Sequence, residues 1–240
     1  MTEQLYRTDA YLRECTAQVL AVNERGGIIL DRTVFYAAAG GQPGDRGVLD
    51  IDGAGSCPIA TTVYDTDKRT IVHVPAEGAA LPAPGQSVRA SLDWAFRSPL
   101  MRMHTTLHLL CALVKFPVTG GQVSPDDSRL DFDIDDPSAV DKEKLTADLN
   151  ALIAADHPVN ERWITDAELE ANPGLVRTMS VKPPTGTGRV RLVLIGENGS
   201  VDTQPCGGTH VGCTSEIGRV VVTRIEKKGR LNRRIRVSFA

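Results

Sequence analysis

The feature that most restricts the fold is a change of hydrophobic period near residue 94. Before it, apolar residues come in short runs: Ala17–Val22, Gly27–Leu30, Gly47–Ile51, Thr61–Tyr64, Ile71–Val74 and Ser87–Leu92. Each run is cut short by glycine, proline or aspartate. Runs of this length between breakers predict a small barrel or a tightly wound sheet. PAEGAALPAPG (75–85) is read as a loop inside this part, because SVRASLD (87–93) follows it as a further strand. From about Pro99 the period turns helical, with Met103, Leu107, Leu110 and Leu113 on one stripe, until FPVTGG (116–121) ends the segment and leaves VTGGQ as a flexible turn. RLDFDI (129–134) alternates like a strand. Ser138 to Ala155 predicts a second helix, with Ser138 and Asp141 in capping-box positions. RVRLVLIG (189–196) and a hairpin over 219–239 around Gly229 supply further strands. The expectation is an α+β chain: a β-barrel-like domain over 1–93, then helices laid on an antiparallel sheet over 94–240.

At 240 residues, 41% apolar and 24% charged, the chain can bury a substantial core. No run approaches the roughly 18 apolar residues of a membrane span, and MTEQLYRTDAYLREC has no apolar stretch of a secretory signal. Five cysteines at 15, 57, 111, 206 and 213 make no regular framework; an odd count fits reduced thiols and a cytoplasmic location. The net charge of −3 is uneven. Residues 219–240 hold eight basic side chains against the one acid Glu226, which leaves −10 for residues 1–218. Such asymmetry fits either a polyanion-binding surface or a solvated hairpin face.

His104 and His108 lie four apart in HTTLHLL, on one face of the predicted helix, where two imidazoles can meet one ion. By itself this spacing is equally that of ordinary core or surface histidines. About a hundred residues on, PCGGTHVGC (205–213) sets Cys206 and His210 four apart across two glycines, a poor helix and a good tight turn. Together the pairs offer three imidazole nitrogens and one thiolate, a borderline-soft set that suits Zn2+. Thr105 stands where a zinc peptidase carries glutamate, so peptidase chemistry is not expected. Cys111 and Cys213 are expected outside the ligand set. GGQPGDRG (40–47), with Gly40, Gly41 and Gly44, lacks the lysine of a phosphate loop and is not G-x-G-x-x-G; no nucleotide cofactor is expected, and a hairpin turn is the plain reading.

H-T-T-L-H-L-L with C-G-G-T-H-V resembles the editing domain of alanyl-tRNA synthetases and its freestanding relatives, the AlaX proteins. DRTVFYAAAGGQPGDRG (31–47), DWAFRSPLMRMHTTLHLL (93–110) and TSEIGRVVVTRIEKKGRLNRRIRVSF (214–239) extend the resemblance over both halves, in the manner of the medium-length type. The resemblance implies that His104, His108, Cys206 and His210 bind zinc. It also implies hydrolysis in trans of tRNA(Ala) charged with serine, or with glycine. Rejecting alanine requires a polar group that senses the serine hydroxyl, for which Thr105, Thr119, Gln122 and Gln42 are candidates. The glycine-rich motif would then face that pocket. Lys227, Lys228, Arg230, Arg233 and Arg234 would meet acceptor-stem phosphates. Three alternatives stay open: a nucleic-acid-binding protein with a purely structural zinc, a zinc hydrolase for some other ester or amide, and a deacylase of threonyl-type specificity, whose synthetases carry similar motifs.

Overall fold

Alternating burial closes the first part of the chain into a barrel. The strands are β1 (Glu3–Gln4), β2 (Glu14–Val22), β3 (Ile28–Leu30), β4 (Arg32–Thr33), β5 (Gly47–Ile51), β6 (Gly55–Tyr64), β7 (Ile71–Pro75) and β8 (Ser87–Leu92). Six of them form the closed order β2–β3–β7–β6–β5–β8, each neighbour antiparallel, while β1 pairs with β4 in parallel. Every second residue points inward: Val88, Ala90 and Leu92 of β8, Cys57 and Ile59 of β6 and Ala17 and Val19 of β2 share one core. Closure leaves these six strands no unpaired edge. The 75–85 segment runs from β7 to β8 within the barrel unit, as its sequence indicated. This computed structural model describes residues 2–53, 55–178 and 188–240. It divides into two compact units, Met1–Pro99 and Leu100–Ala240, against the sequence boundary at 93/94. No helix among the described residues is long and apolar enough to cross a membrane.

Two buried polar constructions fix the first unit. Asp45 and Arg97 are 1% and 0% exposed and form an ion pair. Arg97 Nε donates to both carboxylate oxygens at 2.9 Å, and its terminal nitrogens donate to the Val34 carbonyl at 2.8 Å and the Ala10 carbonyl at 2.9 Å. Asp45 also accepts the Tyr36 N–H at 2.6 Å. Around it, Gly40 and Gly41 take φ of +57° and +83°, and a Cβ on Gly44 would lie 1.8 Å from the Thr62 carbonyl oxygen. The second construction is His73, wholly buried between Thr33 Oγ1 (2.8 Å from Nε2) and the Ile28 carbonyl (3.1 Å from Nδ1). The neutral ring satisfies both: Nδ1–H donates to Ile28, and Nε2 accepts the Thr33 hydroxyl.

Helix α1 (Trp94–Leu113) begins a turn earlier than the sequence suggested. Asp93 caps it, accepting the Phe96 N–H at 3.1 Å, so Pro99 falls inside the helix rather than at its start. The second unit continues with β9 (Val118–Gln122), β10 (Ser128–Asp133), α2 (Lys142–Ala154), β11 (Val159–Thr165), α3 (Asp166–Ala171), β12 (Arg189–Ile195), β13 (Asp202–Pro205), β14 (Val220–Lys227) and β15 (Asn232–Phe239). One antiparallel sheet runs β14–β15–β10–β9 and another β11–β12–β13. The turn expected at VTGGQ is therefore an edge strand. Its glycines make room for β10: a Cβ on Gly121 would meet the Leu130 side chain at 2.8 Å. Helix α2 lies against β14, burying Leu145, Leu149 and Ile153, while Asn150 exchanges hydrogen bonds with the backbone of Val220 at 2.8 and 3.1 Å. Its N-cap is Asp141, which accepts the Lys144 N–H at 2.7 Å; Ser138 belongs to a separate single turn capped by Asp136.

Asp45→Asn leaves the Arg97 charge buried without its partner, and is expected to destabilise the first unit by about 3–5 kcal/mol in chemical denaturation. Burial pushes the His73 ring down to about 4, with the Ile28 carbonyl only partly opposing it. The unfolded chain therefore binds this proton first, so stability falls as the pH drops from about 6.5 to about 4 and levels off below, a loss of about 3 kcal/mol. Denaturation midpoints of wild type and His73→Gln across this range check it; the variant should lose that part of the slope.

Candidate metal centre

His104 and His108 project from one face of α1, and Cys206 and His210 come from the turn that follows β13. One ligand-type atom from each lies within 4.8 Å of every other. The three histidines are 5–7% exposed. The His104 ring centroid lies 4.4 Å from that of His210 and 5.5 Å from that of His108, which is itself 4.7 Å from His210. Cys206 Sγ stands 3.5 Å from His104 Nε2 and 3.3 Å from His210 Nε2.

The turn is held at both ends. Cys206 N–H donates to the Arg191 carbonyl of β12 at 3.1 Å. The Arg191 guanidinium, ion-paired with Glu161, donates to the carbonyls of Cys206 at 3.2 Å and Gly208 at 2.9 Å. The Gly208 N–H points at Cys206 Sγ, 3.4 Å away. Behind the rings, His108 Nδ1 meets Asp202 Oδ2 at 2.9 Å, and His210 Nδ1 meets Thr105 Oγ1 at 3.2 Å.

The electrostatics favour an anionic sulfur. Burial opposes a thiolate at Cys206, yet the charges of His104 and His210 and the hydrogen bonds of His104 and His108 hold it well below the usual thiol range. Burial likewise opposes charge on His108, but the hydrogen bonds and charges of Asp202 and Cys206 push it up to about 10. His210 is pushed down to about 3 by burial and by the charge of His104. A half-buried thiolate among three buried imidazoles is a donor set that could hold a metal ion.

Of the other residues singled out in the sequence, Thr105 is at the cluster but fully buried. Its hydroxyl faces the Met101 carbonyl at 3.0 Å and the Val211 N–H at 3.3 Å, besides His210. Thr119 lies on edge strand β9, donating to the Asp131 carbonyl at 3.1 Å, and Gln122 is exposed at that strand's end beside Arg129. Gln42 is buried in the first unit, in the turn it closes with Ala39. Cys111 is buried and its thiol is pushed up to about 12, chiefly by burial. Neither it nor Cys213 belongs to the converging group. On the hairpin, Lys227, Lys228 and Arg230 are exposed. Arg233 is 6% exposed and donates to the carbonyls of Gly229, Arg230 and Asn232, and Arg234 is clamped to Asp131 at 2.8 and 2.9 Å. Reading cations from charge alone thus counted two that the fold uses internally. Asp202, Gln204 and Arg191 went unnoticed. The available signal was the alternation D-T-Q-P-C, which puts residues 202, 204 and 206 on one side of a strand.

Residues 190–236 match the family profile described as the threonyl and alanyl tRNA synthetase second additional domain. Residues 9–96 match that of class II (A) tRNA synthetases. The alanyl-tRNA editing protein AlaX-M of Methanosarcina acetivorans is 34% identical, with 98% of each chain covered. That of Saccharolobus solfataricus is 30% identical over the same shares. An alanine–tRNA ligase of Pyrobaculum aerophilum is 33% identical over 94% of this chain, which covers 25% of the ligase. This chain belongs to the AlaX-M family of alanyl-tRNA editing proteins.

A metal held by this group would displace the His108 proton, so its uptake should weaken as the pH falls from 8 to 6. Zn2+ titrations of metal-free protein at the two values check the direction, and Cys206→Ala should lose the tight site at both.

Proposed function

We propose that this protein hydrolyses the ester of mischarged tRNA(Ala), with Ser-tRNA(Ala) the principal substrate and Gly-tRNA(Ala) a second. The site is a Zn2+ held by His104, His108, Cys206 and His210. The observation that carries this reading is the convergence of three buried imidazoles and a thiolate in a chain of the alanyl-tRNA editing family. The need for such an activity is physical. A pocket built for alanine rejects a side chain with one added hydroxyl by only about 100-fold, and glycine not by size at all. A second site that demands the hydroxyl discriminates further, because alanine leaves its polar groups unpaired.

Bound in this group, Zn2+ supplies Lewis acidity to an ester carbonyl or to a water molecule. The chain's own residues hold the donors in place. Thr105, turned into the helix and towards His210, is not a general base, in keeping with an ester rather than a peptide substrate. The exposed cations Lys227, Lys228 and Arg230 at the hairpin tip suit phosphate contacts. Five free cysteines fit a reducing, cytoplasmic setting. One observation favours a second reading: four protein donors can close a tetrahedral site, as in structural zinc centres.

Deacylation of Ser-, Gly- and Ala-tRNA(Ala) separates the two. Turnover of serine and glycine but not alanine, lost in Cys206→Ala, is expected. No deacylation by metal-loaded protein would leave the structural reading. Replacing Lys227, Lys228 and Arg230 together by alanine should weaken tRNA binding and reduce its salt dependence, with a log–log slope smaller by about 2–3.

A further inference from the structure

We propose that Asp202 is a positioning residue of the metal-binding group, holding His108 with the proton on Nδ1 so that Nε2 presents its lone pair, and that Thr105 serves His210 in the same way. The inference rests on the metal reading above and assigns the two side chains behind it. Asp202 is 2% exposed in the second unit, at the start of β13, four residues before Cys206. Its Oδ2 accepts from His108 Nδ1 at 2.9 Å and from Gln204 Nε2 at 2.8 Å. A carboxylate is an acceptor only, so the ring nitrogen facing it must carry the hydrogen. The other nitrogen is then free to donate electrons.

Packing alone does not account for this carboxylate. Its Oδ1 is buried with no hydrogen-bond partner among the described residues, and meets the Arg177 guanidinium only as an ion pair at 3.7 Å. Burying such an anion is unfavourable unless positive charge lies close. Its direct ring partner is His108, and through that ring it would face the ion. The same bond makes His108 the stronger donor, since a neighbouring carboxylate raises imidazole basicity.

Thr105 completes the pattern with a neutral group. Its single hydroxyl hydrogen goes to the Met101 carbonyl at 3.0 Å. Its lone pairs then accept from His210 Nδ1 at 3.2 Å and the Val211 N–H at 3.3 Å. His210 Nε2 is left towards Cys206 Sγ, at 3.3 Å. Being uncharged, Thr105 should matter less than Asp202.

The test is Zn2+ affinity of the full chain, measured by competition with a chelating dye, for wild type, Asp202→Ala, Asp202→Asn and Thr105→Val. Asp202→Ala should bind about 10–100-fold more weakly, with Asp202→Asn between it and wild type because the amide oxygen still accepts. Thr105→Val should lose less than Asp202→Ala. Long-range 1H–15N spectra of the Zn2+-loaded proteins should show a protected His108 Nδ1–H in wild type that exchanges rapidly in Asp202→Ala, a change that loss of packing elsewhere would not produce. Should Asp202→Ala fail to fold, the near-isosteric Asp202→Asn carries the comparison. Variants at residue 202 that bind within about twofold of wild type, with His108 Nδ1–H still protected, overturn the proposal. A flat titration for wild type itself would instead remove the metal reading on which it stands.

Discussion

Three imidazoles and a thiol, a set that could hold a metal ion, lie within 4.8 Å of one another in the second unit, the imidazoles buried. Polar groups removed from water must find partners, and these four are turned chiefly on each other. That constraint orders the structure around them. The helix must place residues four apart on one face. The strand before Cys206 must end in a turn with glycines between the thiol and the imidazole. Arg191 must clamp that turn from β12, and Asp202 and Thr105 must occupy the outer nitrogens of two rings. The buried hydroxyls of Thr105 and Thr106 are satisfied in mid-helix by returning to the carbonyls of Met101 and Arg102 at 3.0 and 2.9 Å.

The first unit answers to a different buried charge. GGQPGDRG reads in isolation as a hairpin turn. Within the barrel, Asp45 receives the Arg97 guanidinium, and Gly44 is required by the Thr62 backbone. The two ends of this pair come from the glycine-rich stretch and from the first turns of α1, 52 residues apart in sequence. Asp45 and Gly44 are thus fixed by the architecture of the barrel.

What was legible in the sequence follows from signal strength. The barrel strands could be read because most bury alternate apolar residues and their short runs end at breakers. The metal-type residues could be read because histidine and cysteine at four-residue spacing are rare enough to stand out in pairs. Strand β11 was missed: in VNERWIT only Ile164 is buried, so the run has almost no apolar signature. Helix α3, six residues long, carries a capping box between Thr165 and Glu168 but is too short for a period to emerge. VTGGQ misled because its glycines signal a turn, whereas here they admit a neighbouring strand. Asp202 and Arg234 depend on partners 94 and 103 residues distant, which no local pattern reports, while Arg233 turns back on the carbonyls of its own hairpin tip.

The central claim is that these three imidazoles and one thiolate share a single ion. X-ray absorption at the zinc edge of the purified, zinc-loaded protein tests it most directly. The account predicts about one sulfur near 2.3 Å and about three nitrogens near 2.0–2.1 Å around the metal. A shell without sulfur, or one built of oxygens alone, would contradict it.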